Sequence, residues 1–114
     1  MIETQLGEFE EVILLLAGIL GEEAYAFRLT EEFRKQTGRR VSVGATHSAL
    51  DRLEAKGFLT SKLGSPTAER GGRSKRIFTI TASGKRVLRD AREFRVSLWD
   101  QYPAITGKLS FVVA

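Results

Sequence analysis

From Glu8 to Leu20 the apolar residues Phe9, Val12, Ile13, Leu16 and Leu20 recur at steps of 3, 1, 3 and 4, the period of a helix with one buried stripe. Leu14, Leu15 and Ile19 carry the apolar surface nearly all round it. Such a helix is expected to be enclosed by its own domain and, on the remaining side, by a second subunit. Gly21 ends it. The same period over Ala26 to Thr37 turns Phe27, Leu29 and Phe33 inward and Glu31, Glu32, Arg34 and Lys35 outward, with Gly38 at the stop position. Ser42 then serves as N-cap of a third helix that runs to Lys56 with Thr46, Ala49, Leu50 and Leu53 inward. Gly57 closes that helix.

Beyond Gly57 the period changes. Phe58 to Leu63 and Lys75 to Ile80 are strand-like runs, separated by GSPTAERGGRS. A stretch so rich in Gly, Pro and Ser between two β-compatible runs predicts an antiparallel hairpin with a long tip. Thr81 caps a last helix reaching Tyr102, with Gly84 in its first turn as a local weakness. Val87, Ala91, Phe94, Leu98 and Gln101 or Tyr102 follow at steps of 4, 3, 4 and 3 or 4, the seam of a two-helix packing. Pro103 and Gly107 stop the helix. The tail KLSFVVA is apolar enough to dock, on a surface the pattern does not identify.

The order helix, helix, helix, hairpin, helix is that of a winged helix-turn-helix. The fold expected is therefore mainly α with a small β-hairpin. Residues 1–80 form the winged helix-turn-helix, 81–102 a dimerisation helix, and 103–114 a tail without an assigned role. In this design the third helix enters the DNA major groove, and the hairpin, or wing, rests on the neighbouring phosphates or minor groove.

Composition narrows the function. The 114 residues suffice for one domain. Cys is absent, which excludes disulfides and thiolate metal sites, and one His without partners offers no metal centre. No cofactor is expected. The apolar run Val12 to Leu20 falls short of the roughly 20 residues that span a bilayer, and acids occupy the place where a secretory signal would be positive. A cytoplasmic protein without membrane partners is expected.

Charge is segregated along the chain. Residues 1–32 hold eight acids and one base, Arg28, whereas Lys62 to Arg95 hold ten Lys or Arg against three acids. An acidic half and a basic half on one small domain imply an anionic partner for the second half, foremost double-stranded DNA. Arg70, Arg73, Lys75 and Arg76 crowd the hairpin, where they reach phosphates without being buried. Alternation limits how many share a groove, because Lys75 and Ile77 point one way and Arg76 and Phe78 the other.

Candidate base and phosphate contacts on the third helix are Ser42, Thr46, His47, Ser48 and Arg52. For His47 the alternative is an inert surface residue, and for Arg52 an ion pair on its own helix. Gly71 and Gly72 serve a turn rather than a phosphate cradle, because no Gly-Lys-Ser follows them. Nothing in the sequence resembles a catalytic constellation.

VSVGATHSALDRLEAKGFL, followed by RSKRIFTITASGKRVL, resembles the PadR-type transcriptional regulators over residues 6–98. The family pattern is a Val-Ser-x-Gly turn, Leu-x-x-Leu-Glu-x-x-Gly-Leu, a basic wing and Tyr-x-Leu-Thr-x-x-Gly. LGEFEEVILLLAGIL and AYAFRL fit its first two helices. A single helix after the wing is similar to the short branch of the family. The resemblance implies a homodimeric repressor paired through its first and last helices and often responsive to small aromatic or hydrophobic compounds. It also implies a role for Trp99, since paired tryptophans near the dimer axis of some relatives sandwich a planar ligand; the alternative is that Trp99 packs the interface. Thr46-His47 replaces the usual Leu-Tyr, so operator preference is not carried over, and Ala26 replaces the usual Gly. Two functions fit: a dimeric DNA-binding repressor, which is favoured, and a winged-helix module that binds an acidic protein surface.

Overall fold

The computed structural model describes residues 6–64 and 74–103. Helices α1 (Glu8–Leu20), α2 (Ala26–Thr37) and α3 (Val43–Ala55) are followed by strands β1 (Leu59–Leu63) and β2 (Arg76–Ile80) and by helix α4 (Ala82–Gln101). The fold is thus mainly α with one hairpin, a winged helix-turn-helix extended by a C-terminal helix.

Each boundary has a local cause. Acids at Glu8, Glu10 and Glu11 favour the positive end of α1, and Gly21 leaves that helix with φ of 59°. Gly38 takes the left-handed conformation at φ 74° and donates to the Arg34 carbonyl. Ser42 Oγ accepts from the Ala45 N–H at 3.0 Å, and Thr81 Oγ1 from the Gly84 N–H at 3.0 Å.

The core joins all of these elements. Ile13, Leu14 and Leu16 of α1 meet Leu29 and Phe33 of α2, Ala49, Leu50 and Leu53 of α3, and Leu59 and Phe78 of the hairpin. Phe9 packs edge-on against Phe33, with ring centroids 5.0 Å apart. The hairpin is antiparallel, pairing Leu59 with Ile80 and Leu63 with Arg76. Its second strand is also tied to the chain ahead of α2, because the Phe78 N–H donates to the Ala24 carbonyl at 2.9 Å. The base of the wing is thereby fixed to the helix-turn-helix.

Phe27, expected inward, is 54% exposed. Two residues of helix separate it from Leu29 by about 200°, so Ala26, Leu29 and Phe33 form the inward row instead. Gly84 is no weakness. It is buried against the α3–β1 connection, where a Cβ would overlap the Phe58 carbonyl oxygen and stand 2.8 Å from Ile80 Cγ1. The seam on α4 also divides. Ala91 is 4% exposed and Val87 packs against the core, both covered by their own chain. Phe94 is half-buried, and only Leu98 and Tyr102 stand clear. Ala91 is therefore unavailable to a partner, because α4 spends its first three turns closing its own domain.

Candidate nucleic-acid interface

Helix α3 buries Thr46, Ala49, Leu50 and Leu53 and so presents Gly44, Ser48, Asp51 and Ala55 outward, with His47 on one flank and Arg52 on the other. His47 faces the wing. It shares a depression of about 170 Å³ with Tyr25 and Phe27 at the start of α2, Val43, and Lys75, Arg76 and Phe78 of the hairpin. Sequence positions some thirty apart are thus brought to one patch.

The cations of this patch are held in place. Lys75 Nζ stands 4.2 Å from the centroid of the Tyr25 ring. Arg76 Nη1 donates to Ser61 Oγ at 3.0 Å, and Ser61 Oγ donates in turn to Glu54 Oε2 at 2.8 Å. That relay ties the wing to α3. Strand alternation does not govern the pair, because Lys75 precedes β2, which begins at Arg76. Both border the His47 depression. Arg70 and Arg73 lie outside the described residues.

Of the α3 candidates, Ser42, His47 and Ser48 are exposed. Thr46 is not, and the expectation of a DNA contact there is corrected. Its side chain is fully buried, accepting from Thr30 Oγ1 at 2.7 Å and donating to the Ser42 carbonyl at 3.3 Å. It fastens α3 to α2 from inside, which a buried hydroxyl with both bonds made can do and a groove contact cannot.

Arg52 has a partner that sequence reasoning missed. Its Nε donates to Glu10 Oε2 at 2.5 Å, and Lys56 Nζ donates to Glu10 Oε1 at 2.9 Å. Glu10 itself is 7% exposed. Burial works against its ionisation most strongly, yet the donors from Arg52, Lys56 and the Gly7 N–H together hold its carboxyl below the usual carboxylate range. The pair links α1 to α3 rather than running along α3. Only the half-exposed guanidinium rim of Arg52 remains toward solvent.

Three further residues of this face were not singled out from sequence. Phe27, exposed on α2, borders both the His47 depression and a second hollow of about 470 Å³ with Thr30, Glu31, Arg34, Arg40, Val41 and Ser42. Arg40 stands beside the N-cap of α3, and Asp51 lies on the outward face. The Arg39-Arg40 pair ahead of Ser42 was the one available signal. Away from this surface, Trp99 is 53% exposed and lines a shallow hollow of about 330 Å³ with Arg95, Leu98 and Tyr102.

Three helices with a basic hairpin pinned beside the third define a regulator of the winged helix-turn-helix class. The family model of PadR-like transcriptional regulators matches residues 15–90, and the chain belongs to that family. It is a family of regulators and not of enzymes. Among the described residues no three metal-ligating acids, histidines or cysteines stand together, and no helix is long and apolar enough to cross a membrane. The fold is similar to that of a PadR-like transcription factor from Bacteroides fragilis, at a TM-score of 0.69 and 22% identity, covering 82% of this chain and 84% of that one. A PadR family regulator from Eggerthella lenta aligns at 0.65 and 21%, covering 89% and 88%. One from Bacillus cereus aligns at 0.63 and 24%, covering 89% of each chain. No curated protein matches the sequence significantly.

Proposed function

We propose that the protein is a cytoplasmic, homodimeric, sequence-specific DNA-binding repressor, released by a small aromatic or hydrophobic ligand. The observation that carries this reading is the continuity of α3, through His47, with Lys75 and Arg76 at the loop end of the paired strands. A helix face narrow enough for the major groove, flanked by cations that neutralise phosphates, is what duplex DNA requires. Residues 1–80 are the DNA-binding unit, with Ser42, His47, Ser48, Arg52, Lys75 and Arg76 as contacts. Arg70 and Arg73, read from the sequence as further phosphate contacts, lie outside the described residues. Two copies would place their α3 helices in successive major grooves about 34 Å apart.

Of residues 81–102, the end of α4 from Phe94 onward serves dimerisation. Supporting this, Leu15 and Ile19 on α1 and Val96, Leu98, Trp99 and Tyr102 on α4 are exposed apolar side chains on helices that an Arg95–Glu11 ion pair at 3.0 Å holds together, and a second copy would cover both sets. Phe94, Leu98 and Tyr102 supply the α4 side of the interface. The hollow beside Trp99 is apolar and open on one side, as half of a site completed by a partner's Trp99 would be.

The test is titration of labelled duplex DNA at several salt concentrations. Replacing Lys75 and Arg76 together by Ala is expected to weaken binding to every sequence alike. It should also flatten the dependence of log K on log salt by about one unit per lost phosphate contact. An unchanged slope removes the wing from the interface.

A further inference from the structure

Asp51 stands on the stripe of α3 formed by positions 44, 48, 51 and 55, opposite the buried row Thr46, Ala49, Leu50 and Leu53. It is exposed, and it makes no hydrogen bond or ion pair with any described residue. The cation next to it in sequence, Arg52, turns its Nε to Glu10 on α1 rather than to Asp51. His47, one turn earlier, lies toward the wing. A face that gathers Arg34, Arg40, Lys75 and Arg76, with Glu31 and Glu54 at its sides, therefore carries, on the central stripe of its groove-sized helix, a carboxylate that no described group neutralises.

Such a carboxylate penalises duplex DNA in general. It is repelled by the phosphates of every sequence and can only accept hydrogen bonds. In the major groove guanine offers N7 and O6, both acceptors, and thymine offers O4, also an acceptor. Adenine offers its amino group beside the acceptor N7. Cytosine alone presents an amino donor with no competing acceptor on its own edge. We infer that Asp51 is the specificity-determining residue of α3, accepting from the N4 amino group of one cytosine per half-site and raising the cost of every other base there. The inference deepens the DNA-binding reading proposed above and rests on it. One residue thereby lowers affinity for random duplex and sharpens the choice of site, the two components of a useful specificity ratio.

The experiment is selection from randomised duplex by wild type, Asp51→Asn and Asp51→Ala. Wild type is expected to enrich cytosine at one position of each half-site by roughly tenfold. Asp51→Asn should move that preference to adenine, whose N6 and N7 an amide satisfies together, and should hold unselected duplex several-fold more tightly. Asp51→Ala should abolish the preference without creating another. Because Asp51 is exposed and unpartnered among the described residues, circular dichroism and thermal midpoints of both variants should match wild type. This separates altered reading from misfolding. The same base preferences in all three proteins overturn the assignment and leave DNA binding standing. A wild type that retains no duplex even at low salt overturns the DNA-binding reading, and this assignment with it.

Discussion

Replacing Gly84 by Ala sets a local rule against a tertiary one. In an isolated helix the change gains about 1 kcal/mol, because glycine is costly in a helical interior. In this fold the added methyl meets the Phe58 carbonyl oxygen and Ile80 Cγ1. That carbonyl accepts the Thr81 N–H at 3.0 Å, and Thr81 Oγ1 donates to the Gly57 carbonyl at 2.7 Å. The N-terminus of α4 is therefore bonded to the very backbone it would have to leave. Overpacking against a backbone that cannot retreat costs about 1–3 kcal/mol, and a lengthened Thr81 bond about 1 kcal/mol more. After the helical gain is subtracted, the net loss is about 1–3 kcal/mol. For a domain near this size that lowers the thermal midpoint by roughly 5–15 °C. The assay is thermal unfolding followed by circular dichroism at matched protomer concentration, since association would raise both midpoints. A variant as stable as wild type, or more so, would refute the close approach of α4 to the α3–β1 connection.

Two further outcomes follow from the packing. Glu10→Gln should cost about 1–2 kcal/mol near neutral pH, less than a fully buried pair because Arg52 is half-exposed. The folded-state pKa of Glu10 lies below its unfolded value near 4.5, so its contribution is complete above that pH and is lost as pH falls through the folded value. Urea midpoints from pH ~3 to ~7 should thus converge between variant and wild type in acid; a constant gap across the range would contradict the ion pair. Ile19→Asp, at a position 69% exposed in the single chain, should leave the fold intact while shifting sedimentation toward a monomer. An unchanged mass at micromolar concentration would place any subunit contact away from α1.

Much of the fold is legible in the sequence because its signals are local. The 3.6-residue period placed α1 and α2, Ser42 and Thr81 form the side-chain caps read from their types, and the Gly-Pro-Ser stretch marked the hairpin. Phe27 shows where such reading slips, since residues two apart cannot share a helical face. Thr46 shows a different failure. Its inward phase was plain in the period, yet proximity to His47 along the chain placed it among the surface contacts. The steps of 4, 3, 4 and 4 on α4 mark one apolar stripe correctly, but they do not say what covers it. Its beginning closes against the chain's own core and its end stands exposed.

By itself, then, the sequence determined which segments are helices, where they stop, and that cations gather beside the third of them. Those properties depend on residues within a turn or two of each other. The tertiary structure alone decided that Glu10 takes Arg52 and Lys56 from forty residues away, that Gly84 must lack a side chain, and that Asp51 stands on the outward face with no partner among the described residues. Charge pairing and steric fit act through space at a few ångströms, and chain separation carries no record of which faces fold together.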